Sequence, residues 1–405
     1  MKSTAKIRYE AYVKELAGLV GSRRQDQMRA YLEGLLLPGE RKSIEPMAAR
    51  IDPQNVRARH QAMHHFVANG DWDDAAFLKM ARQKALSWVL YFGRLEAWIV
   101  DDTGFPKQGH HSVGVGHQYC GVLGKVANCQ VAVTVALANQ FASIPAAFRL
   151  YLPEDWAKDP DRREETGIPA EVVFKPKTAI ALEMIGALRR ARVPKAPILA
   201  DAAYGDELVF RQELTTRGWW YVVAVRKDTG VWVARVRLDP NKKSMGSGRH
   251  AKEIVRRGQL QFMDAKTVAE SLRDRAWHEI TWRNGTKGLL RSRFAVLPAR
   301  PGTWDSSTPQ PKSFERLLIE WPKGEPEPTD YWLSTMPESK LLRDLVSLAK
   351  LRWRIEQDFL ERVFPAGVRE PIGLSPVGSW VTGVRPWGSK NLNLNRRIWI
   401  RCESA

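Results

Sequence analysis

Apolar residues recur at helical spacing through residues 1–95, first as Tyr9, Tyr12, Val13, Leu16 and Val20, then as Met28, Tyr31, Leu32 and Leu35. Positions three and four apart share one helix face, so the pattern predicts a helical lobe. Asp71-Trp72-Asp73-Asp74 reads as a helix start leading into Ala75–Leu90, because a carboxylate there can accept from free amide groups of the first turn. The pattern suits DNA binding and simple packing equally. From Leu95 the texture changes. Trp98–Val100 predicts a short buried strand, followed by glycines at Gly104, Gly109, Gly114 and Gly116. Cys129–Asn139 is an almost unbroken valine-rich run, which favours a buried central strand over a helix. Ala147–Leu152 is placed beside it. Thr178–Arg192 has helical spacing, and Ile198–Ala200 is the next strand. Strands alternating with helices predict a mixed α/β domain.

Residues 218–335 have a β texture. Trp220–Val225 and Val231–Leu238 alternate around Asp228-Thr229-Gly230. Trp277–Trp282, Arg283-Asn284-Gly285-Thr286 and Leu289–Leu297 predict a hairpin with an Asn-Gly turn. Arg316–Trp321 and Tyr331–Ser334 continue the pattern across the proline-rich link Pro322–Pro328. Ser339–Glu361 returns to helix, through Leu341, Leu342, Leu345, Leu348, Ala349 and Arg352. The last 44 residues carry 5 Gly and 4 Pro, dispersed so that no helix of ordinary length survives. The expected organisation is a helical lobe over 1–95, the first part of a core over 96–217 and a β-rich insertion over 218–335. A core helix over 336–361 and an irregular tail over 362–405 complete it.

Composition adds a partner to this outline. The 405 residues are 44% hydrophobic, enough for at least one sizeable core. Lys and Arg number 63 against 45 Asp and Glu, a formal net charge of +18. Such a surplus points to a polyanion, because clustered cations neutralise phosphates and release counterions. Residues 211–312 hold 21 Lys/Arg and 9 Asp/Glu, a surplus of 12, so about two thirds of the net charge sits in a quarter of the chain. Within it Lys242-Lys243-Ser244-Met245-Gly246-Ser247-Gly248-Arg249-His250 reads as a basic loop in which Lys242, Lys243 and Arg249 contact phosphates. The three cysteines, Cys120, Cys129 and Cys402, are too few and too scattered for a disulfide framework or a zinc site. Met1-Lys2-Ser3-Thr4-Ala5-Lys6 leads into no signal-type apolar core, and no apolar stretch approaches the roughly 20 residues that span a bilayer. The expected location is the cytoplasm, without membrane contact.

Three acidic residues stand in distinctive settings. Asp101 closes Ala97-Trp98-Ile99-Val100 and opens Asp101-Asp102-Thr103-Gly104. Asp201 closes Ala196-Pro197-Ile198-Leu199-Ala200 and opens Asp201-Ala202-Ala203-Tyr204-Gly205. Glu356 lies in the helical stretch Leu351-Arg352-Trp353-Arg354-Ile355-Glu356-Gln357-Asp358. A carboxylate at a strand end is held rigidly at a crevice, where hard oxygen ligands can grip Mg²⁺ or Mn²⁺. Two such ions about 3.5–4 Å apart serve phosphodiester chemistry by activating the attacking oxygen and stabilising the leaving one. Asp101 suits the bridging position, with Asp201 and Glu356 flanking. Asp102 rivals Asp101 and reads as a supporting group, Asp206 and Glu207 rival Asp201, and Asp358 and Glu361 rival Glu356. A lone Asp after an apolar run serves equally as a turn residue or helix cap. Lys107, Lys125, Arg352 and Arg354 suit either phosphate contact or plain surface. Trp219, Trp220, Trp232 and Trp282 suit either core packing or stacking on flipped bases. His64-His65 lacks metal-ligand companions in the sequence.

Over residues 25–361 the chain resembles insertion-sequence transposases of the DDE type, in the subgroup with a large β insertion before the catalytic Glu. The resemblance rests on Ile99-Val100-Asp101-Asp102-Thr103-Gly104-Phe105-Pro106-Lys107-Gln108-Gly109, Gln118-Tyr119-Cys120-Gly121 and Asn128-Cys129-Gln130-Val131. It continues through Leu150-Tyr151-Leu152-Pro153, Trp156, Gly167-Ile168-Pro169, Ala200-Asp201-Ala202-Ala203-Tyr204-Gly205 and Arg352-Trp353-Arg354-Ile355-Glu356-Gln357-Asp358-Phe359. It implies a ribonuclease-H-like core, a metal-binding triad of Asp101, Asp201 and Glu356, and double-stranded DNA as partner. It also implies two Mg²⁺ or Mn²⁺ ions, excision and reinsertion of DNA ends through a free 3′-hydroxyl, a homodimer on paired ends, and a bacterial nucleoid location. The subgroup spaces Tyr, Arg, Glu and Lys along the last helix. Arg352 and Glu356 fit, whereas Ala349 stands at the Tyr position and Val363 at the Lys position. Arg362–Ala405 matches nothing in the family and has the texture of an out-of-frame translation, so a frameshift near codon 362 is expected. A catalytically inactive DNA-binding remnant and a metal-dependent nuclease without strand transfer are the alternatives. A two-carboxylate glycosidase is disfavoured by the charge.

Overall fold

The computed structural model describes residues 4–39, 42–70, 72–234, 255–257, 260–285, 288–302 and 314–355. Lys242, Lys243, Arg249, Glu356, the rivals Asp358 and Glu361, and the tail 362–405 lie outside the described residues. The first helices are α1 (Thr4–Ala17), α2 (Gln25–Leu36), α3 (Ile44–Ile51), α4 (Val56–Asn69) and α5 (Asp74–Phe92). They bury two apolar clusters of their own, one around Met47 and Met63, the other around Leu16, Met28 and Phe66. Asp73 starts α5 by accepting from the amides of Ala75 and Ala76, as the sequence predicts. The lobe is tied to the sheet beyond it through α5, whose Val89 enters the main core and whose Arg82 donates to the Ala146 carbonyl at 3.3 Å.

The remainder is organised on one mixed sheet. Its first strands are β1 (Ala97–Pro106), β2 (Gly116–Cys120), β3 (Lys125–Ala138) and β4 (Ser143–Leu150). After the short helices α6 (Glu154–Lys158) and α7 (Pro160–Thr166) come α8 (Lys177–Arg190), β5 (Ile198–Ala200), α9 (Ala202–Gly205), α10 (Leu208–Thr216) and β6 (Tyr221–Val225). The chain continues through β7 (Gly230–Ala234), β8 (Val255–Arg257), β9 (Leu260–Asp264), α11 (Ala265–Ser271), β10 (His278–Gly285), β11 (Gly288–Pro301), β12 (Glu315–Glu320), β13 (Asp330–Ser334) and α12 (Leu342–Lys350). Among the described residues the strand order is β2-β3-β1-β5-β6-β13-β12-β11-β7-β9-β8, with β4 on β3 and β10 on β11. The antiparallel strands β4, β3 and β1 followed by the parallel pair β5 and β6 form the ribonuclease-H-like core, and the sheet runs on without a break into the β-rich stretch.

β3 is central and apolar from Cys129 to Ala138, which is why its sequence does not alternate: both sheet faces are covered. One face packs on α8 and α10, where Trp98, Val100 and Val133 meet Ile185, Leu188 and Leu214. The other packs on α12, where Ile99, Leu199 and Val222 meet Leu345, Val346 and Ala349. Trp219 and Trp232 are buried, Trp282 stands edge-on to Phe294 at 5.7 Å, and Trp220 alone of the four is exposed. Core packing therefore accounts for three of the four tryptophans considered for base stacking.

Two expectations are corrected. Asn284 pairs with Leu289 and Gly285 with Gly288, so Asn-Gly lies in the ladder and the chain reverses after Gly285. A register shift between Thr281 and Arg283 moves the pairing off the position that local turn chemistry suggests. The predicted helix from Ser339 begins at Leu342, runs to Lys350, is interrupted by a turn at Leu351–Arg352 and is helical again over 353–355, the last of the described residues. Beyond Lys350, Leu351, Arg354 and Ile355 donate to the carbonyls of Leu348, Leu351 and Arg352, a tighter three-residue pattern. That tightening sinks Leu351 and Ile355 into the apolar face while Arg352 reaches across to β1. Among the described residues no helix is long and apolar enough to cross a membrane.

Leu345 is fully buried between α12 and the sheet. Leu345→Ala is expected to cost about 2–5 kcal/mol, read as a lower urea midpoint in chemical unfolding.

Candidate metal centre

β1 and β5 are parallel neighbours with Ile99 opposite Leu199 and Val100 opposite Ala200. The next step of that register brings Asp101 beside Asp201, but only Asp201 lies at a strand end. β1 runs on to Pro106, paired with β3, so Asp101 sits inside its strand and the expected strand end after Val100 is corrected. Residues opposite one another in a parallel pair point to the same face, here the face covered by α12. β5 stops at Ala200, and Asp201 accepts from the amides of Ala203 at 3.0 Å and Tyr204 at 3.4 Å, starting α9. The capping role open to such a residue is thus one that Asp201 fills. A cap uses one carboxylate oxygen, Oδ1, and leaves Oδ2 for other work.

The turn after Asp201 has little freedom. A Cβ at Gly205 would lie 1.8 Å from the Ala224 carbonyl oxygen of β6, so only glycine lets α9 approach the sheet this closely. The buried Arg211 donates to the Gly205 carbonyl and lies 3.9 Å from the buried Glu315 of β12. Asp206 accepts from the Arg226 amide and the Thr229 hydroxyl, and Glu207 precedes α10 without capping it. Asp206 therefore has a local duty of its own.

Asp101 is held from several sides. Thr134, buried on β3, donates to its carbonyl at 2.9 Å, and the amide of Asp102 donates to its Oδ1 at 2.9 Å. Arg352 donates to its Oδ2 at 2.9 Å, with the Asp101 side chain 17% exposed. Burial pushes the Asp101 carboxyl up to about 6, Arg352 pulls it back, and Asp201 pushes it further up. Asp201 is likewise raised, first by burial, against the lowering effect of Arg352 and with a further rise from Asp102. One guanidinium thus faces two neighbouring carboxylates that repel each other.

Strand alternation sends Asp102 to the opposite face. There Lys177, at the start of α8, contacts its Oδ2 at 2.6 Å, and the buried Tyr204 hydroxyl donates to its Oδ1 at 2.5 Å. Tyr204 is raised far above the usual phenol range, by burial and then by Asp102. The sequence pointed to Asp102 as a supporting group but assigned no part to Lys177 or Tyr204. Tyr204 stands inside a recognised motif, while Lys177 carries no local signal.

A second positive group lies on the α12 side. The Arg283 guanidinium sits 3.5 Å from the Trp353 ring centre and that of Arg354 sits 5.3 Å from it. Arg283 is lowered by burial and by Arg354 nearby. Arg354 also donates to the Phe141 carbonyl. Lys107 is half-buried and lowered by burial. Arg352 is engaged with Asp101 rather than free for phosphate.

Asp101 and Asp201 fit a hard divalent cation: both are oxygen donors, both are raised by burial, and their mutual repulsion is what a cation relieves. Among the described residues no group of three or more His, Cys, Asp or Glu is assembled to hold one, and Glu356 lies outside them.

A family model described as DDE superfamily endonuclease matches residues 15–289, a span that contains Asp101 and Asp201. A protein from Microchaete diplosiphon described as a probable transposase for insertion sequence element IS701 is 28% identical over 252 residues. That match covers 58% of this chain and 61% of the relative, so the chain spans about six-tenths of the relative's length.

The raised Asp101 carboxyl makes a signed prediction about stability. Unfolded Asp titrates near 3.8 and the folded group near 6, so between these values the folded chain holds more protons. Stability from this group is present below about pH 4 and lost as pH rises through about 6. The loss is on the order of 3 kcal/mol, and Asp101→Asn should remove it. Metal-free urea midpoints for the two proteins across pH 4 to 7 give the check.

Proposed function

The chain belongs to the DDE superfamily of endonucleases, and from that premise we propose that it is an insertion-sequence transposase, cutting and joining DNA at the ends of its element. The observation that carries this reading is the placement of Asp101 and Asp201 one residue beyond the last paired residues of the parallel strands β1 and β5. Divalent ions bound there supply an activated attacking oxygen and a stabilised leaving oxygen for phosphodiester chemistry. Asp101 takes the central position, because it lies inside β1 and its pairing with Thr134 of β3 fixes it. Glu356, which follows Arg352 by four residues in the sequence and matches the family motif, is the third ligand of this proposal. Arg352 pairs with Asp101 and would be placed to contact DNA phosphate beside a divalent ion held there.

The basic groups serve the substrate. Arg283 and Arg354 flank Trp353 beside the carboxylate face and suit a DNA backbone, since guanidinium pairs well with phosphate. Lys107, Lys242, Lys243 and Arg249 extend this contact in the same proposal. Two ends must be held together for joining, which calls for two copies of the chain. A second reading, a DNA-binding remnant without chemistry, is favoured by the sequence after Glu361, which departs from the family pattern.

Purified protein with labelled element ends and Mn²⁺ separates these readings. Joined products are expected from the wild-type chain. Nicks without joining indicate a nuclease, and shifted mobility without cutting indicates the remnant. Asp101→Asn is expected to abolish cleavage and leave end binding intact; persistent cleavage refutes the assignment of Asp101.

A further inference from the structure

Behind the carboxylate face, on the other side of the sheet, lies a contact that joins the two strands carrying Asp101 and Asp201. Asp102 belongs to β1, and its Oδ1 accepts from the Tyr204 hydroxyl at 2.5 Å. Tyr204 belongs to α9, and its own amide donates to Asp201 at 3.4 Å. A single residue is therefore bonded to the neighbour of one carboxylate and to the other carboxylate itself. Lys177 holds the second oxygen of Asp102 at 2.6 Å and lies 5.3 Å from the Tyr151 ring centre. The Tyr204 ring is 1% exposed and packs against Phe210, so its hydroxyl has no freedom to swing.

We propose that the Tyr204–Asp102 hydrogen bond is a positioning strap that sets the separation of Asp101 and Asp201 and so the metal affinity of the pair. The inference rests on the reading of those two carboxylates as metal ligands. The physical need is clear: β5 is only three residues long, and it ends at Ala200, so the strand ladder itself does not reach Asp201. Repulsion between the two carboxylates pushes the α9 turn away from β1. The strap opposes that displacement from the rear face, where no metal or substrate competes for it. Groups that orient metal ligands in this way typically change metal affinity by about 10–100-fold when removed. Tyr204 and Asp102 act through Asp201 and Asp101 and are positioning residues.

The test is Mn²⁺ binding by the full chain without DNA, followed by calorimetry, alongside thermal unfolding. Tyr204→Phe removes one hydroxyl and no charge. It is expected to weaken Mn²⁺ binding by about tenfold or more while the metal-free unfolding midpoint moves little. Wild-type affinity in Tyr204→Phe overturns the strap, and so does a lowered unfolding midpoint with affinity unchanged. Asp102→Asn and Asp102→Ala give a second comparison. Both remove the same charge, but Asn retains an oxygen that accepts from Tyr204. Asn should keep several-fold more affinity than Ala, and equal affinities overturn the proposal even if Tyr204→Phe fails to fold. Asp101→Asn separates the two levels of inference: if it binds Mn²⁺ like the wild type, the ligand reading itself fails, whatever Tyr204→Phe does.

Discussion

Two carboxylates held side by side, one inside β1 and one just past the end of β5, repel one another, and much of the surrounding structure answers that repulsion. Asp101 is fixed because β1 is paired along its length with β3, whereas Asp201 lies just past the end of β5 and is placed by the α9 turn. Burial strengthens the penalty by excluding the water that would screen them. The charge is met by Arg352 on one face and the geometry is held by Tyr204 and Lys177 on the other. A site in which two like charges are kept close has stored affinity for a cation, and that is the property a phosphodiester-cleaving centre needs.

The rest of the molecule bears on this pair through packing. Trp98 and Val100 face α8 while Ile99 faces α12, so adjacent residues of β1 anchor the strand into two separate apolar layers. The same alternation continued one step further separates Asp101 from Asp102 and gives them different work. α12 seats Leu345, Val346 and Ala349 on the sheet, and the tightened turn after it delivers Arg352 to Asp101. Lys350, at the end of α12, contacts the buried Glu320 of β12, so the helix that carries Arg352 is also fastened to the β-rich part of the sheet. Gly205 and Arg211 do the equivalent for the Asp201 turn, joining it to β6 and β12.

The sequence made the core strands and the two aspartates legible because each is a local signal. An apolar run ending in Asp, followed by a glycine-bearing turn, marks Asp101 and Asp201 without knowledge of their partners. The valine-rich run from Cys129 identified β3 for the same reason. What was not legible depends on contacts distant along the chain: Lys177 reaches Asp102 across 75 positions, and Arg352 reaches Asp101 across 251. The Asn-Gly pair shows the opposite error, a strong local turn signal overruled by the register that β11 takes from β12 and β7. Trp219 and Trp232 were ambiguous in sequence because burial, not spacing, decides between core and stacking surface.

The central claim is that Asp101 and Asp201 form one cation site for which Arg352 is the resident substitute. Diffraction from crystals soaked in Mn²⁺, recorded for anomalous scattering, tests it most directly. The account predicts an anomalous peak within coordination distance of both carboxylates, with the Arg352 guanidinium withdrawn from Asp101. Mn²⁺ bound elsewhere, or an unchanged Arg352–Asp101 pair at saturating Mn²⁺, contradicts it.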